Sequence, residues 1–309
     1  MNINNQNSKI KKAIFLMGGY GTRFLPASKT IPKQMLPIGN KPLLQYLVEE
    51  AVDAGIEEVI FVTGKGKSAI DDHFDRDWEI EEMLEKKGKL TLLYEFKKIH
   101  NMAKFATIRQ NIANGDGGAM MLTSSFIGES ESVLMIFPDY YMPSQNNTMK
   151  KMLEFYHETG KAVIAADIVP MEKVSSFGVI DYEKAANVGG GEFVKIKRFV
   201  EKPKTQDAPS NLISIGFAVI TPEIFNSIKT ASSTVDDGEI RVADAFTQII
   251  DEGGEIYALK PEIPGFDCGN ALGLIKANLF VGLENPLYKQ DLLNFIEEIT
   301  VPSRAKFTV

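Results

Sequence analysis

Residues 13–23 read Ala13-Ile14-Phe15-Leu16-Met17-Gly18-Gly19-Tyr20-Gly21-Thr22-Arg23, an apolar run that stops at a cluster of glycines. Five consecutive apolar side chains ahead of a turn read as a strand buried on both faces, the kind found inside a parallel sheet. Working outward, short apolar runs rich in β-branched and aromatic residues recur at 58–63, 105–108 and 132–137. Helical spacing lies between them. Residues 41–54 put Leu43, Leu44, Leu47, Val48 and Ala51 on one face and stop at Gly55, and 77–87 repeat apolar positions before Gly88. Strand, helix, strand is the rhythm of an α/β fold with a Rossmann-like, mainly parallel sheet flanked by helices on both faces.

Beyond Asp139 the texture changes. A strand is expected at 161–168, two more at 177–182 and 194–200 around a glycine-rich stretch at 188–191 that reads as a loose hairpin loop, and another at 212–220. Thr221 caps an expected helix over 222–229, with Pro222 at the first helical position, where proline is tolerated. A helix over 240–251, a short strand at 256–259 and helices over 272–283 and 291–299 complete the chain. There is no internal repeat and no low-complexity linker. The expectation is therefore one domain over 1–309, with a core at about 11–280, an inserted antiparallel portion and a helical extension at 284–309.

With 44% hydrophobic and 24% charged residues in 309, the chain is neither disordered nor fibrous. A net charge of −7 argues against a surface built to neutralise nucleic-acid phosphates. Cys268 is the only cysteine, which excludes an internal disulfide or a thiolate zinc cage and is compatible with a reducing cytosol. His73, His100 and His157 have no metal-ligand spacing. The first twelve residues are polar and basic, unlike a signal peptide, and no apolar run nears the roughly 20 residues of a membrane span. A cytoplasmic protein is expected, with no membrane or nucleic-acid partner.

Gly18, Gly19 and Gly21 leave backbone N–H groups uncovered, so a phosphate can approach closely, although a purely structural turn is the alternative. A dinucleotide fingerprint needs a third glycine where Phe24 stands, so hydride-transfer chemistry is not indicated. The continuation to Pro37 carries Pro26 and Pro32 with Lys29 and Lys33; the prolines forbid a regular helix and are expected to hold the loop extended. Arg23 offers a planar fork and Lys33 a point charge, suited to gripping a triphosphate and offsetting charge on a pyrophosphate leaving group; solvated loop cations are the alternative. Gly64-Lys65-Gly66-Lys67-Ser68 ends like a P-loop, but Phe61 occupies the leading glycine position, so the segment reads as a lysine-rich turn entering a helix at Ser68. Asp139 follows an apolar strand and Pro138, at the carboxyl end of the sheet where ligands of such folds gather.

Further marks follow in order: Lys41-Pro42-Leu43, Arg109-Gln110, Gly115 with Gly117-Gly118-Ala119, Pro138-Asp139, Phe177-Gly178-Val179 and Glu201-Lys202-Pro203. Gly216, Gly238-Glu239-Ile240 with Asp244-Ala245, and Asp267-Cys268-Gly269-Asn270 complete the series. Together with residues 18–37, this set closely resembles the signature of bacterial UTP:glucose-1-phosphate uridylyltransferases, also called UDP-glucose pyrophosphorylases, over about residues 11–280.

The resemblance implies that the glycine loop, with Thr22, cradles a nucleotide, and that Gln110 with backbone near Gly115 reads uracil. An uncharged amide can both donate to and accept from that base. It also implies that Asp139 and Asp267 hold Mg2+, a hard cation that keeps several waters and needs few protein ligands. Glu201 would hold sugar hydroxyls, Lys202 would meet the sugar phosphate, and Gly178 and Gly216 would leave room for a hexose. Structural alternatives stand beside each: a satisfied strand end for Gln110, helix caps for the aspartates, an exposed ion pair for Glu201–Lys202, and bulges for the two glycines. The implied substrates are UTP and glucose 1-phosphate, joined by in-line attack of an already anionic phosphate that needs no general base, with Arg23, Lys33 and Lys202 as the catalytic cations. A homodimer or homotetramer is implied too, and the amphipathic stretch 291–299 offers a face for a second copy.

Four positions depart from the family pattern: Gln34 for glutamate, Gly118 for histidine, Arg241 for glutamine, and Tyr140 for a small aliphatic residue; residues 97–104 also match poorly. The departures touch the base and sugar surroundings. The competing readings are the same chemistry on another pair, such as dTTP with glucose 1-phosphate, and a non-catalytic paralogue that binds sugar nucleotides. The presence of Arg23, Lys33, Asp139 and Asp267 argues against the paralogue.

Overall fold

The computed structural model describes residues 9–188, 192–230 and 239–300, with the backbone alone for 184–188. The chain opens with β1 (Lys12–Met17), the short pair β2 (Pro37–Ile38) and β3 (Lys41–Pro42), α1 (Leu43–Asp53) and β4 (Glu58–Thr63). Helices α2 (Ser68–Phe74), α3 (Trp78–Lys86) and α4 (Leu90–Asn101) lead to β5 (Lys104–Arg109), α5 (Gly115–Met121), β6 (Val133–Ile136) and β7 (Tyr140–Tyr141). Then come α6 (Thr148–Thr159), β8 (Ala162–Ile168), β9 (Gly178–Val188), β10 (Phe193–Glu201), β11 (Leu212–Ile220), α7 (Pro222–Thr230) and α8 (Val242–Asp251). Strands β12 (Ile256–Leu259) and β13 (Phe266–Asp267) precede α9 (Ala271–Glu284) and α10 (Lys289–Thr300).

Among the described residues, nine strands form one sheet in the order β5-β4-β1-β6-β11-β8-β12-β10-β9. The first four are parallel, β11 runs antiparallel to both β6 and β8, and β10 is antiparallel to β12 and β9. The antiparallel portion thus continues the parallel sheet within one domain. The period of two along β1 divides the core: Ala13, Phe15 and Met17 face α1, α2 and α6, while Ile14 and Leu16 face α5, α7 and α8. On the first face Phe61 contacts the rings of Phe15 (5.7 Å), Phe74 (5.2 Å) and Phe105 (5.8 Å). Each fully buried side chain of this size contributes on the order of 2 kcal/mol.

Several boundaries differ from the sequence reading. Helix α1 starts at Leu43, because Lys41 and Pro42 pair with Ile38 and Pro37. Helix α8 starts at Val242, because the N–H of Ile240 donates to the Asn114 carbonyl and its carbonyl accepts from Gly117 N–H, both at 2.9 Å. The loop after β1 is not extended. It winds into three 3-10 turns at Thr22–Phe24, Ala27–Lys29 and Lys33–Met35, geometry that proline's fixed φ permits where an α-helix interior would not. Helices α4, α5 and α6 went unread: α5 opens with Gly115, Gly117 and Gly118, which look like a loop, and Leu93 alone is buried in α4. Residues 1–8 of the polar N-terminus, 189–191 of the glycine-rich stretch, Gly238, and 301–309 of the C-terminal extension lie outside the described residues. Among those described, no helix is long and apolar enough to cross a membrane.

Candidate active site

The nucleotide-side candidates and Asp139 follow β1, β5 and β6, while Gly178, Glu201, Lys202, Gly216 and Asp267 lie on or just after β9, β10, β11 and β13. Gly21 adopts φ 66°, a left-handed conformation natural to glycine, and the Ser28 hydroxyl donates to its carbonyl at 2.7 Å, folding the loop back on itself. A β-carbon on Gly21 would lie 3.4 Å from Lys33 Cβ, so the loop also packs on the base of the lysine. Lys33 Nζ then reaches across to Asp139 Oδ2 at 2.8 Å. Gly19 has open space above it, and Thr22 and Arg23 are exposed, so this side of the loop faces outward.

Behind the loop lies Lys67, in the lysine-rich turn that enters α2. Lys67 Nζ donates to the carbonyls of Met17 and, at 2.8 Å, Gly19, and a β-carbon on Gly64 would sit 3.0 Å from the Gly18 carbonyl oxygen. The segment after β4 therefore braces the segment after β1. Burial, with the nearby Lys33 charge, pushes the Lys67 ammonium down to about 8. The turn entering α2 at Ser68 was legible, but the return of its lysine to the first loop was not.

At the other end of that loop, Gln110 follows β5. Its Nε2 donates to the Gly115 carbonyl and to Asn114 Oδ1, both at 3.1 Å, while its Oε1 lies over Gly18, where a β-carbon would be 2.6 Å away. The glycines after it are there for close approach. β-Carbons on Gly115 and Gly117 would meet the Ile240 backbone at 2.3 and 2.9 Å, and one on Gly118 would meet Asn114 Oδ1 at 2.1 Å. Asp116 Oδ1 accepts from Val242 N–H at 2.8 Å and so caps α8. Burial raises its carboxyl to about 6 against that N–H, and the Glu201 charge adds to the rise.

A cavity of about 340 Å³ brings together Arg23, Asp139 and Asp267 with Gly178, Glu201, Lys202 and Gly216; Asp116 and Arg241 line it too. Gly18, Gly19, Gly21, Gln110 and Gly115 do not line it, and Lys33 connects that group to the cavity through Asp139. Lys202 Nζ lies 3.3 Å from Glu201 Oε1, the exposed pairing that was the structural alternative. Lys202 also holds φ 43°, with Asn147 one of two non-glycine residues of positive φ among those described, and such strained backbone concentrates at functional sites. The room left by the two glycines is filled by aromatic rings of the chain itself: a β-carbon on Gly178 would be 2.4 Å from Phe199 Cζ, and one on Gly216 would be 2.7 Å from the Phe137 ring. Gly216, at φ 83°, also lies where the β11–β8 register breaks, which is a bulge.

Asp139 and Asp267 come from distant parts of the sequence and meet because β7 pairs with β13, placing Asp267 opposite Tyr140. A β-carbon on Gly269 would be 2.9 Å from Asp267 Oδ1 and 3.6 Å from Asp139 Oδ2, so both carboxylates border one small gap. Two hard oxygen donors at such a gap fit a hard divalent cation that keeps much of its water. Among the described residues, no group of three or more His, Cys, Asp or Glu forms a fuller cage. Asp267 also has a local role: its carboxylate accepts from Gly269 N–H and Asn270 Nδ2, both at 2.9 Å. Next to it Cys268 is buried, and burial with the Asp267 charge pushes its thiol up to about 12, too high for a reactive thiolate. Tyr140, a departure from the family pattern, donates to the buried Asp167 carboxylate at 2.6 Å, and Gln34, another departure, is buried with Oε1 unpartnered.

A family model described as nucleotidyl transferase matches residues 12–283. A UTP–glucose-1-phosphate uridylyltransferase of Staphylococcus epidermidis is 40% identical over 293 residues, covering 95% of this chain and 99% of that protein. One of Staphylococcus haemolyticus is 40% identical over 292 residues, 94% and 99% of the two chains. Among solved structures, a UTP-bound UGPase from Acinetobacter baumannii superposes with TM-score 0.83 at 35% identity, covering 94% of this chain and 99% of that one. A UDP-glucose pyrophosphorylase complexed with UDP-glucose gives TM-score 0.78 at 34% identity, covering 89% and 100%. The chain belongs to the nucleotidyl transferase family, and within it stands with the UTP–glucose-1-phosphate uridylyltransferases.

Proposed function

We propose that this chain transfers a uridylyl group from UTP to glucose 1-phosphate, giving UDP-glucose and pyrophosphate. The observation that carries the reading is the cavity in which Arg23, Asp139 and Asp267 face Glu201 and Lys202 beside the glycine loop. Relatives named for that reaction match nearly end to end.

In this reading a phosphate oxygen of the sugar phosphate attacks the α-phosphorus of UTP, and the bond from that phosphorus to the β-phosphate oxygen breaks. Pyrophosphate leaves with the bonding pair, and no covalent enzyme intermediate forms. The nucleophile is already an anion, so no side chain has to remove a proton. Lys202 holds the attacking phosphate, and Glu201 accepts from sugar hydroxyls. Arg23 and Lys33 offset charge on the leaving pyrophosphate. Gly18, Gly19, Gly21 and Thr22 hold the triphosphate through main-chain N–H groups, and Gln110 with Gly115 reads the base. Gly178 and Gly216 act on the sugar indirectly, because the Phe199 and Phe137 rings they admit shape the sugar end of the cavity. Asp139 and Asp267 would hold a magnesium ion, which when bound supplies positive charge to the phosphate oxygens during transfer.

The sheet runs unbroken through both halves, which supports reading about 11–280 as one nucleotidyltransferase domain and 284–309 as its helical extension. A homodimer or homotetramer belongs to the same reading. Leu272, Ile275 and Leu279 leave an apolar face exposed on α9, and sedimentation velocity tests the assembly. The cytoplasmic location rests on the lone cysteine and is tested by cell fractionation. The reaction itself is tested by pyrophosphate release with magnesium and glucose 1-phosphate, comparing UTP, dTTP, CTP, ATP and GTP. Release with UTP supports the reading, release with another nucleotide alone replaces the specificity, and silence across the panel overturns it.

A further inference from the structure

Gln110 is tied into the sheet by its own N–H, which donates to the Thr63 carbonyl at 2.8 Å, so its side chain leaves the end of β5 toward the glycine loop. The orientation of its amide is set by its surroundings. One neighbour at 3.1 Å is the Gly115 main-chain carbonyl, which can only accept, so the nitrogen is the end that points there. The second hydrogen of the same nitrogen goes to Asn114 Oδ1 at 3.1 Å. Both donors are then in use, and the group left over is the acceptor Oε1, held above the Gly18 backbone.

Asn114 is held in place by its backbone and its packing. Its carbonyl accepts from Ile240 N–H at 2.9 Å, and its side chain fills the space at Gly118, where a β-carbon would fall 2.1 Å from Oδ1. Turning the Gln110 amide over would set its oxygen against the Gly115 carbonyl, which can only accept, and would require the Asn114 amide to turn over with it. The end offered to a base is therefore an acceptor and stays one.

We propose that Asn114 is a specificity-determining positioning residue: by holding the Gln110 amide in one orientation it makes the site take a pyrimidine with a hydrogen on N3 and turn away cytosine. Uracil and thymine donate from N3, whereas cytosine has a lone pair there, which meets Oε1 as acceptor against acceptor. Gly118 belongs to the same device, since only a residue without a side chain leaves Asn114 its place. The inference rests on the reading of Gln110 as the base reader.

The experiment compares kcat/KM for UTP and CTP with glucose 1-phosphate, scoring CTP as a competitive inhibitor where its turnover is too slow to read. Asn114→Ala removes one neutral hydrogen bond, so the UTP-to-CTP ratio should fall about three- to tenfold. The fall should appear in KM for the nucleotide, with KM for glucose 1-phosphate unmoved, a split that general loosening of the fold would not give. Asn114→Asp keeps an acceptor in place and should keep the ratio, while Gly118→Ala displaces Asn114 and should reproduce the loss. If Asn114→Ala fails to fold, that second pair carries the test. An unchanged ratio in Asn114→Ala and Gly118→Ala, with a collapsed ratio in Gln110→Ala, overturns the role of Asn114 and leaves Gln110 as the reader. An unchanged ratio in Gln110→Ala overturns both.

Discussion

The parallel strands β5, β4, β1 and β6 and the mixed strands β11, β8, β12, β10 and β9 share one sheet, and Gly19 on one side and Gly178 and Gly216 on the other use a missing side chain in opposite ways. In the parallel half, Gly19 sits in a loop with nothing above it, so its backbone stays open to a ligand. In the mixed half, Gly178 and Gly216 sit within strands, and the space each leaves is taken by Phe199 or Phe137. In the proposed reading one half meets ligand with main chain and loop cations; the other builds a walled cavity lined by Glu201 and Lys202. A glycine thus does not by itself announce a binding site, since what fills the missing side chain's place decides between contact and shape.

The largest effect is expected where the halves meet. Asp139→Ala removes the partner of Lys33 and one side of the Asp267 gap, and kcat should fall by at least about a hundredfold. Lys202→Ala should lose activity on a similar scale. Asp139 and Lys202 are partly exposed, so melting temperatures should stay close to that of the parent protein. Near-normal turnover in either variant would break the picture of a site shared between the halves.

Next in size is a pair that separates the two uses of glycine. Gly178→Ala drives a methyl into the Phe199 ring and should cost about 1–3 kcal/mol in urea unfolding. Gly19→Ala meets nothing and should change stability by less than about 0.5 kcal/mol, yet raise KM for the nucleotide. Equal destabilisation by both would erase the distinction.

A pH dependence sharpens the parallel half further. Lys67 loses its charge as pH rises through about 8, whereas in the unfolded chain it keeps it to near 10.5. Between those values the unfolded chain binds more protons, so this group makes stability rise with pH. The glycine loop loses its charged brace over the same window, and KM for the nucleotide should climb. Activity and stability therefore move in opposite directions above pH 8, and Lys67→Met should abolish both trends; parallel trends would refute the bracing role. The smallest effect belongs to Cys268→Ser, which should leave kcat unchanged and cost about 1 kcal/mol for a buried hydroxyl. Strong inactivation would give the thiol a part in the chemistry.

Much of this architecture is written in local sequence. The runs at 58–63 and 212–220 coincide with β4 and β11, because an apolar strand ended by turn residues carries its own signal. Asp139 was legible from the strand and proline ahead of it, and the glycine loop from its composition. Helix α5 was hidden because two of its three glycines, Gly115 and Gly117, serve contact with Ile240, a segment far along the chain. Lys67 was missed for a related reason, since it acts on a loop that only the sheet order brings beside it; Asn114 meets Gln110 four residues away, and a loop asparagine carries no sequence signal of which side chain it bonds.

The sequence by itself determined the alternation of strands and helices, the loop after β1, and the set of motifs that marks the family. These follow from periodicity, turn chemistry and residue type, which are local properties of a chain. Tertiary structure alone decided that the antiparallel strands extend the parallel sheet, that Asp267 stands beside Asp139, and that Gln110 Oε1 lies over Gly18. Those depend on strand order and on contacts between residues far apart in sequence, which form only when burial of the whole sheet fixes one arrangement.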